Sequence, residues 1–147
     1  LQDNNIETLD ALPKNTADGY AILAEIQKGS ALIESEKWQE AQALFATLAN
    51  NSSYAPVYTD MAKLYQAQIM LNQGSDEIVP LLQTLISSES AFKLSALELL
   101  GNYYEGKGDY ASAADYYTQI ATTSTVPSGL KVRVQKRMDI INRATRK

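Results

Sequence analysis

The 147-residue chain contains no cysteine and no histidine. Those two absences exclude Cys or His nucleophiles, histidine general-base catalysis, His/Cys zinc sites, haem held by those ligands and disulfide staples. No apolar run approaches the roughly 18 residues that a transmembrane helix needs. The chain also lacks a G-x-x-x-x-G-K phosphate loop and a dinucleotide fingerprint. Ser90 with Lys93, and Ser128 with Lys131, satisfy S-x-x-K spacing, but the S-D-N and K-T-G segments that give it catalytic meaning are missing, and both serines read as helix-start residues. Glu34 with Glu36, and Glu98 with Glu105, read as solvated helix faces. Asp3, Asn4, Asn5 and Glu7 lack the glycine and spacing of a calcium loop. The expectation is a protein without catalytic residues, metal or cofactor.

What is present is the composition of a soluble globular domain, 45% hydrophobic and 20% charged. Position 1 is Leu rather than Met, which reads as an excised or processed chain, so that any signal peptide or anchor preceding it is not visible in the sequence. The net charge of −4 is unevenly spread: residues 131–147 carry seven basic side chains against Asp139, for +6, which leaves −10 on the rest. An acidic body repels nucleic acid, so no nucleic-acid partner is expected. The basic set Lys131, Arg133, Lys136, Arg137 and Arg143 complements the dipole of a last helix and is a candidate surface for acidic protein or anionic lipid.

Apolar residues recur at helical spacing throughout, without strand alternation, so the fold class is all-α. Helices are expected over about 17–34, 37–50, 54–72, 76–87, 91–106, 110–122 and 127–142. Gly29 and Gly101, Trp38 and Tyr110, Ala41 and Ala113, Phe45 and Tyr117, and Leu48 and Ile120 are each 72 residues apart. That register divides into hairpin units of about 36 residues, three in all, of which the middle one is degenerate. Each hairpin exposes an apolar face that only a neighbour covers, so the units stack and the final helix closes the end through Leu130, Val134, Met138 and Ile141. The expected organisation is an N-terminal segment at 1–16, a repeat domain at 17–143 and a basic tail at 144–147.

In the third unit, Leu100, Gly101, Asn102, Tyr103, Tyr104, then Gly108, Asp109, Tyr110, Ala113 and Tyr117 resemble a tetratricopeptide repeat. The first unit matches through Gly29, Leu32, Trp38, Ala41 and Phe45. The resemblance implies a right-handed solenoid of about three tetratricopeptide-like hairpins with a C-terminal capping helix, and aromatic residues that serve packing. Over roughly residues 6–142, Gly19 and Tyr20, Phe45, Pro56 and Tyr58, Ser95 to Leu100, and Val126 to Leu130 resemble the tetratricopeptide-like ancillary subunit family of the SecYEG translocon of Gram-negative bacteria. That resemblance implies an N-terminal anchor in the inner membrane, absent from this chain, and a periplasmic scaffold that links the translocon to periplasmic chaperones.

Carried over from the repeat pattern, the first helices of the hairpins line a partner-binding groove: Ser95, Glu98, Asn102 and Glu105 in the third unit, Leu23, Ile26, Ser30 and Ile33 in the first. Asn102 is suited to a peptide backbone and the two glutamates to a basic ligand. Expected partners are proteins, translocon subunits or periplasmic chaperones, with contact to the membrane only through the anchor. Two alternatives stand beside this one: a general tetratricopeptide adaptor of the bacterial envelope or cytoplasm, and a self-associating module forming homo-oligomers.

Overall fold

A computed structural model of the chain describes residues 17–146. The expected N-terminal segment at 1–16 lies outside the described residues, as does Lys147. Among the described residues there are seven α-helices and no strand: α1 (Ala17–Glu34), α2 (Trp38–Ala49), α3 (Pro56–Gln73), α4 (Ile78–Ser87), α5 (Lys93–Gly106), α6 (Tyr110–Ala121) and α7 (Ser128–Thr145). Apolar periodicity places every helix, and the ends shift by at most three residues. The largest shift is at α7, which continues to Thr145 through the first two residues of the stretch read as a tail.

The described residues group into two compact units divided after Ile69, inside α3, where the sequence pattern gives one repeat domain. In the first unit α1 packs on α2 around Ile22, Ile26, Ala41, Phe45 and Leu48. Tyr65 of α3 stacks flat on Phe45, ring centroids 4.7 Å apart at 5°. In the second unit α5 packs on α4 and α6, and α6 on α7. Its core joins Leu97, Ala113, Tyr117, Ile120, Leu130, Val134 and Ile141, with Tyr104, Tyr110 and Tyr116 packed against it. The aromatic residues do serve packing, and Tyr104 stacks on Tyr116 at 5.6 Å.

The 72-residue register extends beyond the five pairs seen in the sequence. Adding 72 to the bounds of α2 reproduces α6, and adding 72 to those of α3 reproduces α7. The helix that closes the chain is thus the register counterpart of α3. Tyr58, Ala62 and Ile69 are buried in α3, and Leu130, Val134 and Ile141 are buried at the matching positions of α7.

Even the turns repeat. After α1 the amides of Glu36 and Lys37 donate to the carbonyls of Ile33 and Leu32, and after α5 those of Gly108 and Asp109 donate to Glu105 and Tyr104. This is a Schellman termination, which needs a left-handed residue just past the helix. Gly108 takes that conformation at φ 78°, and Glu36 occupies the same place at φ 58°.

Candidate protein-interaction site

Ser95, Glu98, Asn102 and Glu105 follow one another at spacings of three and four, so α5 presents them on a single face. Straight-chain and aromatic residues carry this helix past Gly101, where the aromatic ring of Tyr117 comes down against the backbone. A Cβ at Gly101 would lie 2.7 Å from Cδ1 and 2.8 Å from Cζ of that ring. The close approach sends the Tyr117 hydroxyl past the helix to its polar face. Its one proton is shared between Asn102 Oδ1 at 2.7 Å and Glu105 Oε2 at 2.9 Å. Burial, then the hydrogen bond to Glu105, pushes the Tyr117 phenol far above its ordinary value.

The glutamates are engaged from the other side as well. Arg133 of α7 grips Glu98 in a two-pronged bond, Nε to Oε1 at 2.9 Å and Nη2 to Oε2 at 3.2 Å. Arg137 donates from Nη1 to Glu105 Oε1 at 3.3 Å. The side chains of Glu98 and Glu105 are only 17% and 16% exposed. This corrects the expectation of an open acidic groove selecting a basic ligand. Two surfaces assigned separately from the sequence, the acidic face of α5 and the basic face of α7, neutralise each other. Ser95 is half-buried on the same face, while Lys131, Lys136 and Arg143 are exposed on α7 and form no ion pair among the described residues.

The first unit departs further from the expected groove. Ile26 is 1% exposed and belongs to the core rather than to a groove wall. Leu23, Ser30 and Ile33 are half-buried, and the Ser30 hydroxyl is hydrogen-bonded to Tyr65. The 72-residue register explains the difference position by position. Ile26 and Met61, both buried, stand where the second unit has the ion pair Glu98 and Arg133. Phe45, Ser30, Ile33 and Tyr65 stand where it has Tyr117, Asn102, Glu105 and Arg137. One unit solves this contact with apolar packing and a stacked ring, the other with charge-assisted hydrogen bonds.

Beside Asn102 the second unit opens a pocket of about 270 Å³ lined by Asn102, Glu105, Gly106, Tyr110, Arg137 and Ile140. Gly106, Tyr110 and Ile140 were not foreseen as site residues. Tyr110 is the register counterpart of Trp38, whereas Ile140 joins the register, opposite Gln68, only through the equivalence of α3 and α7. Glu105 and the Asn102 carbonyl oxygen accept bonds from Tyr117 and Arg137, and the lining also holds donors. They are the Asn102 amide N–H groups, the Tyr110 hydroxyl and the remaining guanidinium N–H groups of Arg137, none with a further partner among the described residues. The pocket therefore suits hydrogen-bond acceptors, carbonyl or carboxylate oxygens.

The S-x-x-K pairs have structural roles. The Ser90 hydroxyl accepts from the Phe92 amide ahead of α5, Lys93 pairs with Glu89, and Ser128 is the first residue of α7. Among the described residues no group of three or more acidic side chains is placed to hold a metal ion, and no helix is long and apolar enough to cross a membrane.

Comparison with known families matches residues 2–142 to the tetratricopeptide repeat-like domain. The chain belongs to that family. No characterised protein and no solved structure matches it significantly. Tetratricopeptide repeat-like domains are typically non-enzymatic modules that bind proteins, and the seven described helices are the helical-repeat architecture this membership entails.

Proposed function

We propose that this tetratricopeptide repeat-like domain is a non-enzymatic scaffold that binds a protein through the second unit, at α5, α7 and the pocket beside Asn102. The carrying observation is that pocket: it offers unpaired donors from Asn102, Tyr110 and Arg137 on a face already fixed by Tyr117. Carbonyl and carboxylate oxygens of a polypeptide meet such donors directly.

More specifically, we propose that the scaffold is the periplasmic domain of a membrane-anchored ancillary subunit of the Sec translocon, linking it to periplasmic chaperones. Support comes from the resemblance carried by Gly19, Tyr20, Phe45, Pro56, Tyr58 and the segment Val126 to Leu130. The repeat-like fold serves a general adaptor of the envelope or cytoplasm equally well. Crosslinking and pull-down of the full-length protein from its native membrane, with mass spectrometry of what accompanies it, separates these readings. Recovery of translocon subunits or periplasmic chaperones supports the export role. Recovery of unrelated proteins places the domain in a general adaptor, and recovery of the protein alone points to self-association.

A further inference from the structure

The outward stripe of α7 is built from Val132, Lys136, Ile140 and Arg143, spaced by four, four and three residues and all exposed. In α3 the corresponding positions are Asp60, Leu64, Gln68 and Leu71, of which Leu64 is buried and the others half-buried. The same side of the same repeat helix is therefore covered in one copy and open in the other. Two leucines of the covered stripe are cations in the open one. Beside those cations Val132 and Ile140 remain 54% and 48% exposed, two of the three exposed large hydrophobic side chains among the described residues. Ile140 also forms one wall of the pocket beside Asn102, so the apolar points and the unpaired donors are continuous.

We infer that this stripe docks an acidic amphipathic helix supplied by a protein partner. The proposal rests on the scaffold reading and gives its partner a chemistry. Charge complementarity selects the occupant. Lys131, Lys136 and Arg143 have no ion pair among the described residues, and Asp139, the sole acid of α7, is hydrogen-bonded to Gln135. The partner helix carries apolar residues at three- and four-residue spacing to meet Val132 and Ile140, with Asp and Glu beside them to meet Lys136, Arg143 and the pocket donors. A lipid surface fits less well. The long apolar stripe of α7, Leu130, Val134, Met138 and Ile141, faces its own core, which leaves two apolar side chains to insert.

The test uses the full-length protein in the cells that produce it. A photo-crosslinking amino acid replaces Ile140, and in separate variants the exposed Ala24 of α1 and Ala111 of α6. Adducts are identified by sequencing the crosslinked peptide. Expected is a protein adduct at position 140 to a segment rich in Asp and Glu with helical apolar periodicity. Its yield falls about tenfold or more in Lys136→Glu with Arg143→Glu, while thermal unfolding is unchanged. An adduct at 140 to a basic segment, to lipid or to a second copy overturns the inference, as does a yield that survives charge reversal. Protein adducts at 24 or 111 with none at 140 overturn it while leaving the scaffold reading in place. No protein adduct at any position removes both.

Discussion

The ring of Tyr117 rests on Gly101 so closely that a single added methyl group there would overlap it, 2.7 Å from Cδ1 and 2.8 Å from Cζ. Gly29 bears the same relation to Phe45, where a Cβ would lie 2.7 Å from Cε2 and 2.9 Å from Cε1. Two glycines 72 residues apart thus admit two aromatic rings, and the rings lock each hairpin.

Gly101→Ala accordingly destabilises the second unit by about 1–3 kcal/mol through overpacking. Both Gly101 and the ring are buried. Chemical denaturation gives the value. Replacing Tyr117 by Val in the same chain removes the obstruction, so the double variant loses less than the two single losses combined. Additive losses would show that the methyl and the ring do not meet.

The turn after α1 is improved by copying the turn after α5. Glu36 holds a left-handed conformation that glycine takes without strain, and Lys37 sits at the N-cap of α2 without a side-chain bond. At the equivalent places Gly108 supplies the φ, and Asp109 accepts from the Ser112 amide at 3.1 Å. Glu36→Gly with Lys37→Asp raises stability by about 1–2 kcal/mol. A lower unfolding temperature in the double variant contradicts the equivalence of the two turns.

Alkaline pH weakens the fold through its buried tyrosines. Burial raises the phenols of Tyr117, Tyr65 and Tyr116, and for Tyr117 the hydrogen bond to Glu105 adds to it. Unfolded tyrosine ionises near pH 10. Below that pH the groups are neutral in both states and their contribution is complete. Above it the unfolded chain loses protons first, so stability falls as pH climbs toward the folded values. Melting temperature plotted against pH bends downward above about 10, and Tyr117→Phe makes that bend shallower. An unchanged bend in the variant rules out Tyr117 as its source.

Much of this was legible in the sequence because helices and repeats are written in apolar spacing. Ile22, Phe45, Tyr65, Ile78, Leu82 and Leu85 fall on inward faces, and all are buried. The site was legible only in part. Glu98 and Glu105 lie on one face of α5 as spacing requires, but spacing within a helix does not say which other helix lies across from it. Their partners Arg133 and Arg137 are 35 and 32 residues away, on a helix whose basic residues read from the sequence as a separate surface. The repeat register pairs Ile26 with Glu98 and so assigns it to the groove. A position that is polar in one copy is core in the other, since Met61 rather than Arg133 stands at the matching place of the facing helix.

The most direct measurement is a charge-swap cycle on Glu98 and Arg133, because the central claim is that the acidic face of α5 is occupied by α7 rather than left open for a basic ligand. Glu98→Arg and Arg133→Glu are each made alone and then together, and chemical denaturation is recorded for all four proteins. The pair is partly exposed, so each single reversal is expected to lower stability by about 1 kcal/mol, with at least half of the combined loss recovered in the double variant. Single reversals without effect, or losses that simply add, would mean that the two side chains do not hold each other and that the face of α5 is open.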